Sequence, residues 1–562
     1  MASRRASDVQ AWTHTTDVVV VGTGGAGLTA AVAAHQAGAQ VMVLEKSAHV
    51  GGTTAVSGGV IWVPDNPLMK ALGLADSRAE ARAYMLRIAD GRASEELTDR
   101  YLDASLEMIA FVQAHTDIRF QALPDYPDYH PEFFGGRTGG RPLDNGLFDT
   151  NELGSWASKL RRNPINGKSP MTIAEVMGWG VFANPMGFDY KMVAERARKG
   201  IVHGGASLMG KLLKACLARG IEPLLETPGK HLVVDAEGAV VGIVAVAGDG
   251  SELCIRARKG VVLASGGFEW DETLRKAFLA PELTHPLSPP SCDGDGLRMA
   301  MALGAQLGNM SEAWWTPAVA VPGELRDGKP LYRGEFSVRC LPHSIMVNRQ
   351  GKRFTTESHN YNDMTKPFFH HDPFAYDRPN VPAWLIVDQA YLDRYVLVTA
   401  APGRPVPEWI HQAPTLEALA GKLGIAPAGL AETVARFNRF AVEGVDPDFH
   451  RGESAFDRYY GDPKHGPNPN LGTIAKAPFY AVEIHPGAMG TKGGPQVDVD
   501  GRVQHVNGAA IPGLYAAGNV MSAIAGHGYA GPGITICTAM AWGYLAARHA
   551  ASRPTVAPIT VG

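Results

Sequence analysis

Cysteine is scarce in this 562-residue chain. The five present are Cys216, Cys254, Cys292, Cys340 and Cys537. They are odd in number, scattered, and form no C-x-x-C pair. That pattern excludes a disulfide framework, a thiolate zinc site, an iron–sulfur cluster and covalent haem, and leaves buried free thiols. No histidine has metal-ligand spacing with a second group, so no metal site is expected. Excess charge is missing too: the net charge is −4, which suggests neither nucleic acid nor an anionic membrane as partner. No apolar run reaches the length of a membrane span without many glycines. Arg4-Arg5 near the start are followed by Asp8, Gln10 and His14, which interrupt any apolar region. The first sixteen residues therefore read as a disordered lead-in, not a signal peptide. A cytoplasmic protein is expected, with peripheral membrane contact left open for a lipid-like substrate. No internal repeat or low-complexity segment is evident.

What is present begins at residue 17. Asp17 to Val21 is an apolar, β-branched run that suits a strand buried on both faces. Gly22, Gly24 and Gly27 follow at G-x-G-x-x-G spacing, with Gly25 and Ala26 between them. Such a turn lets backbone approach a pyrophosphate and lets the next helix pack close to the strand. An alanine-rich helix is predicted from Leu28 to Ala37, with Gly38 as its stop. Its N-terminus offers free N–H groups to phosphate. Val41 to Leu44 reads as the second strand. Glu45 ends it, 18 residues after Gly27, placed to accept hydrogen bonds from ribose hydroxyls. Strand, turn, helix, strand and acid in this order indicate a dinucleotide site, where a lone glycine motif would not.

Helices are predicted over Arg78 to Asp90, Glu95 to His115, Gly204 to Cys216, Thr415 to Leu423 and Pro427 to Val442. Strands are predicted over Leu224 to Thr227, His231 to Val234, Val240 to Val246, Lys259 to Ala264, Ser344 to Val347 and Leu514 to Ala517. A last helix runs to about Ala551. Residues 121 to 144 are a Pro, Gly and aromatic-rich loop carrying Tyr126 and Tyr129. On residues alone, packing the loop down explains these tyrosines more readily than catalysis does. Residues 146 to 200 are apolar but irregular, and packing explains them better than a substrate entrance or a membrane face. The expected fold class is α/β (α+β): a Rossmann-like domain over 1–290, an inserted substrate domain over 291–489, and a return to the first domain over 490–562.

Gly51-Gly52-Thr53-Thr54 and Ser57-Gly58-Gly59 directly follow the acid. This segment resembles the flavoprotein fold of the succinate dehydrogenase and fumarate reductase group, where it wraps the FAD pyrophosphate. The resemblance implies non-covalent FAD, with NAD as runner-up. It implies cofactor contacts from Gly22, Gly24, Gly25, Ala26, Gly27, Glu45, Lys46, Gly52, Thr53, Thr54, Ser57, Gly58, Gly59, Gly267, Gly518, Asn519, Gly533 and Ile534. A narrower resemblance follows from Pro127-Asp128-Tyr129, Glu357-Ser358-x-x-Tyr361 and Tyr529-x-x-x-Gly533. These match the 3-ketosteroid Δ1-dehydrogenase pattern, with likeness from Asp17 to about Arg548.

By that resemblance the chain introduces a double bond between carbons 1 and 2 of a 3-oxo steroid. Tyr529 and the Gly533 N–H would hold the carbon-3 carbonyl oxygen. Tyr361, helped by Tyr129, would remove a proton from carbon 2, and carbon 1 would give a hydride to flavin N5. Tyr126 would line the substrate pocket. Electrons would leave to an external acceptor, a quinone or dye. A fumarate-reductase-like activity is disfavoured because the arginine clamp a dicarboxylate needs is missing. A Δ4-dehydrogenase and a flavin hydratase or isomerase remain as alternatives.

Overall fold

The structure, a computed structural model, describes residues 3–555. It is built on two large sheets. The first has eight strands. Within it the strand His14–Val21 is flanked in parallel by the edge strand Val41–Leu44 and by Glu252–Leu263. Val18, Val19 and Val20 are fully buried, as expected of a strand covered on both faces. Glu252–Leu263 also carries Val240–Val246 and the returning strand Ala510–Ala516. The tail thus re-enters the sheet that the first strand began.

Two helices seal this sheet. Gly25–Gln36 follows the first strand directly, and Ile534–Ser552 packs across it. The approach is close enough that a Cβ on Gly543 would lie 2.4 Å from the Ala26 carbonyl oxygen.

The second sheet has seven strands in the order Lys329–Gly334, Ala313–Arg326, Phe479–Thr491, Ala383–Asp388 and Ser344–Val347, with two short strands added on Phe479–Thr491. Phe479–Thr491 holds it together, since it pairs with four other strands.

Several sequence expectations need correction. The first sixteen residues are not a disordered lead-in over their described part. Arg4–Arg5 pair in parallel with Val233–Val234, while Ala6 and Val9 are buried. Ala6, Val9 and Trp12 gain enough burial against the sheet's outer strands to order a short segment. Leu224 to Thr227 makes one bridge, Leu44 to Leu224, and no strand. The five cysteines are all free and buried. Among the described residues, no helix is long and apolar enough to cross a membrane.

Candidate active site

The three tyrosines singled out in sequence converge between the sheets. Tyr129 lies 4.8 Å from Tyr529 and 5.2 Å from Tyr361, ring centre to ring centre, and Tyr361 lies 5.6 Å from Tyr529. All contacts are edge-on, the arrangement aromatic rings prefer. The hydroxyls of Tyr129 and Tyr361 are hydrogen-bonded to each other. The Tyr529 hydroxyl accepts a hydrogen bond from Thr535 at 3.0 Å.

Each tyrosine is held by a separate device. Tyr129 sits in the 121–144 loop, where its N–H donates to the Ala530 carbonyl at 3.0 Å. Next to it, Asp128 accepts from Trp62 Nε1 at 2.7 Å, from the Arg137 N–H at 2.9 Å and from Arg141 at 2.6 Å. Arg141 is itself fully buried and bridges to Asp76. A buried charge network of this kind is costly to break once formed, and it pins the loop's shape. Tyr361 opens a short helix, Tyr361–Thr365, capped by the Asn360 side chain. Behind it, buried Glu357 is clasped by Arg353 and Arg451. Tyr529 follows a turn whose carbonyls, His527 and Gly528, accept from the buried Lys492 ammonium at 3.0 and 2.7 Å. Burial pushes Lys492 down to about 7, although Glu312 pulls the other way.

Gly533 ends this arrangement. It caps the last helix at φ +98, a conformation that favours glycine, and a Cβ there would meet the Val60 carbonyl oxygen at 2.3 Å. The N–H has no backbone acceptor among the described residues. It is therefore free to donate to a ligand oxygen.

The phenols are poor acids where they stand. Burial pushes Tyr129 and Tyr361 well above 10, and the neighbouring tyrosines push further. The Tyr129 hydrogen bond acts in the opposite direction on Tyr361 and lowers it. Tyr529 is raised by burial and lowered by its bonds to Thr535 and Tyr361.

The side chains packed around the tyrosines are largely aromatic. Tyr126 stacks on Tyr459 at 4.6 Å, and its hydroxyl contacts that of Tyr460 at 2.7 Å. Phe456 meets Tyr129, Trp314 meets Tyr529, and Phe336 meets Tyr361. Phe182, from the irregular 146–200 segment, packs on Tyr460. Sequence reasoning missed Trp314, Phe336, Phe456, Tyr460 and Lys492, which arrive from scattered points of the chain.

Behind the tyrosines, His130 Nε2 and Asp363 are 2.6 Å apart, and His130 Nδ1 is 3.1 Å from Glu132. His130, His359 and Asp363 lie within 4.8 Å of one another, a grouping that spacing along the chain did not reveal. His130 and Asp363 are already engaged with each other, so an ion pair accounts for them. Burial lowers His130, but the bonds to Asp363 and Glu132 prevail and lift it to about 9.

The glycine-rich segments gather into one cradle. Thr54 Oγ1 accepts from the Gly25 N–H at 3.1 Å, and a Cβ on Gly52 would sit 3.6 Å from Gly24 Cα. A Cβ on Gly518 would touch Ala26 at 3.4 Å, and one on Gly27 would lie 2.0 Å from the Gly22 oxygen. Gly58 has open space where its side chain would be. The Gly25–Gln36 helix has no side-chain cap at Gly24, so its leading N–H groups face the cradle. Glu45 is buried at the far end and accepts from Thr23 and the Ser47 N–H. Asn519 Oδ1 accepts from Trp314 Nε1 at 3.1 Å, which links cradle and tyrosines. Lys46 is engaged by Asp293 and Asp295. Thr53 contacts Cys292, and a Cβ on Gly267 would meet Thr491. The helix start beyond Gly25, whose N–H is taken by Thr54, together with a buried acid and glycines that keep side chains out, suits FAD.

Comparison with known proteins agrees with this geometry. Residues 17–536 match the family described as FAD binding domain. A 3-oxosteroid 1-dehydrogenase of Mycobacterium tuberculosis is 41% identical over 96% of this chain and 98% of its own length. A 4-oxocyclohexanecarboxylate 2-dehydrogenase of Sinomonas cyclohexanicum is 40% identical over 96% and 93%. The crystal structure of a 3-ketosteroid delta1-dehydrogenase from Sterolibacterium denitrificans, in complex with 1,4-androstadiene-3,17-dione, superposes with a TM-score of 0.90 at 34% identity, over 96% of this chain and 100% of that one.

Proposed function

This chain belongs to the FAD binding domain family of flavoproteins, and we propose that it is a 3-oxosteroid 1-dehydrogenase that introduces a carbon 1–carbon 2 double bond into 3-ketosteroids. One observation carries the reading: Tyr129, Tyr361 and Tyr529 meet in one aromatic cluster, and the N–H of Gly533 is free to donate. The likeness to steroid dehydrogenases across nearly the whole chain supports it.

Tyr529 O–H and the Gly533 N–H bind the carbon-3 carbonyl oxygen. Donors fixed where negative charge develops favour the enolate-like state, and thereby acidify carbon 2. Tyr361 takes the carbon-2 proton, and the Tyr129 hydrogen bond stabilises its anion. Bound FAD supplies the acceptor for the carbon-1 hydride. The cradle residues hold it: Gly22 to Gly27 at the pyrophosphate, Glu45 at the ribose, and Thr53, Thr54, Ser57, Gly58 and Gly59 along its length, with Lys46, Gly52, Gly267, Gly518, Asn519, Gly533 and Ile534 completing the set. Electrons leave to an external acceptor. We also retain the division into a dinucleotide domain of 1–290 and 490–562 with a substrate domain of 291–489.

The Sinomonas relative brings a second reading, a dehydrogenase of small cyclic keto acids. Both reactions desaturate a ring next to a ketone. A keto acid also needs a cation for its carboxylate. None of the groups that shift Tyr129, Tyr361 or Tyr529 most strongly is a cation. The apolar wall favours the steroid.

The test is anaerobic. FAD-loaded protein is mixed with androst-4-ene-3,17-dione, with the saturated 5α-androstane-3,17-dione or with 4-oxocyclohexanecarboxylate, and flavin absorbance is followed. Bleaching by the steroid with a 1,4-diene-3-one product is expected. Bleaching by the keto acid alone would replace the steroid reading, and a 4-ene product from a saturated ketone alone would indicate the Δ4 reaction.

A further inference from the structure

The hairpin Ala313–Arg326 and Lys329–Gly334 reaches out of the second sheet, and its tip lies against the 157–164 segment. Under that tip is a cavity of about 400 Å³. Arg161, Arg162 and Arg326 line it, and Asp327 is the only carboxylate among its lining residues.

Two of these arginines are buried, Arg161 at 4% exposure and Arg326 at 9%. Arg161 donates to Asp327 at 2.7 Å and to Ser47 Oγ at 3.1 Å. Arg326 donates to the Leu287 carbonyl at 2.6 Å. The Nε of each is buried and has no acceptor among the described residues. Burial, and then the facing charge of Arg161, push Arg326 down to about 10. Two buried cations, of which only Arg161 pairs with a carboxylate and each of which keeps a spare donor, are an expensive arrangement without a further anion.

The chemistry of that anion follows from the donors. Guanidinium groups match the planar, two-oxygen edge of phosphate and carboxylate, and phosphate offers more oxygens for three such groups. The dinucleotide's own phosphates are met by the Gly24–Gly27 helix start, so they do not need these arginines. Still, the two sites are coupled: Arg161 holds Ser47, whose N–H binds Glu45.

We infer that the cavity under the hairpin tip is a second binding site, separate from the FAD cradle, for a phosphate-bearing small molecule held by Arg161, Arg162 and Arg326. Its occupation would bear on the Glu45 end of the cofactor through Ser47.

Inorganic pyrophosphate is the probe, titrated calorimetrically into the FAD-loaded enzyme at low ionic strength. One saturable site is expected, weakened about tenfold or more by Arg326→Leu and less by Arg326→Lys, which keeps the charge but not the fork. Arg162→Gln alters an exposed lining residue, so a several-fold loss there keeps the test valid if the Arg326 variant misfolds. Three results overturn the inference. One is no saturable binding to the loaded enzyme. Another is equal binding by the wild type, Arg326→Leu and Arg162→Gln. The last is binding only after FAD is stripped, reversed by returning FAD, which would assign these arginines to the cofactor.

Discussion

Asp363→Asn should lose a stability contribution that exists only below about pH 9. In the wild type, burial alone would depress His130, yet Asp363 at 2.6 Å and Glu132 at 3.1 Å raise it from 6.5 to about 9. Folding therefore favours the protonated ring. The contribution is fully present below about pH 6.5 and disappears as pH rises through 9. The gap between 6.5 and about 9 corresponds to about 3 kcal/mol at the acidic plateau. About 2.5 kcal/mol of it remains at pH 7, and a few tenths at pH 9.5. Glu132 supplies part of the lift, so these figures are upper bounds for removing Asp363 alone. Urea unfolding of the FAD-loaded wild type and variant, followed by tryptophan fluorescence at both pH values, measures the gap. Pairs lost for other reasons, such as the Asn362 bond to Asp363, shift both pH values equally. A wild-type advantage that stays constant from pH 7 to 9.5 would refute the ion pair.

The proposed base gives a complementary expectation. Tyr361→Phe should keep the flavin spectrum but lose about 10²–10⁴-fold in turnover, measured with dye as acceptor. Near-normal activity would remove Tyr361 from the mechanism. Tyr529→Phe should be less damaged, since the Gly533 N–H still holds the carbonyl oxygen. Because burial holds Tyr361 well above 10, kcat/KM should climb from about pH 6 to about pH 8.5 without a plateau, and a plateau near neutrality would contradict it. Gly27→Ala places a Cβ 2.0 Å from the Gly22 oxygen, so the protein should purify with little bound FAD, read from its absorbance near 450 nm, a flavin wavelength of about that value.

The cofactor side of the fold was readable because its signals are contiguous. His14–Val21, Gly25–Gln36 and Val41–Leu44 lie within one short stretch, and local spacing reports them. The second sheet was harder. Its strand Ala313–Arg326 contains Pro317 and Pro322, and Phe479–Thr491 contains Pro486. Proline argues against a strand interior, yet Pro317 and Pro486 stand opposite each other in register. Pairing on both sides of Phe479–Thr491 overrides the local preference. The pocket wall was invisible for another reason. Trp314, Phe336, Phe456 and Tyr460 meet only through tertiary packing, so no spacing announces them. The tyrosines carried a signal because a family pattern names them, whereas composition favoured mere packing.

The hydrogen bond between Tyr129 and Tyr361 has a kinetic consequence. Tyr129 is anchored through Asp128 and Arg141 to Trp62 and Asp76. Tyr361 is anchored through Glu357 and Arg451 beside the second sheet. Their hydroxyls therefore join two separately fixed side-chain networks. Any displacement of one network relative to the other would part the pair and remove the partner that lowers Tyr361. Proton removal by Tyr361 would then require both networks to be in place at once, so a fault in either one would slow the same step.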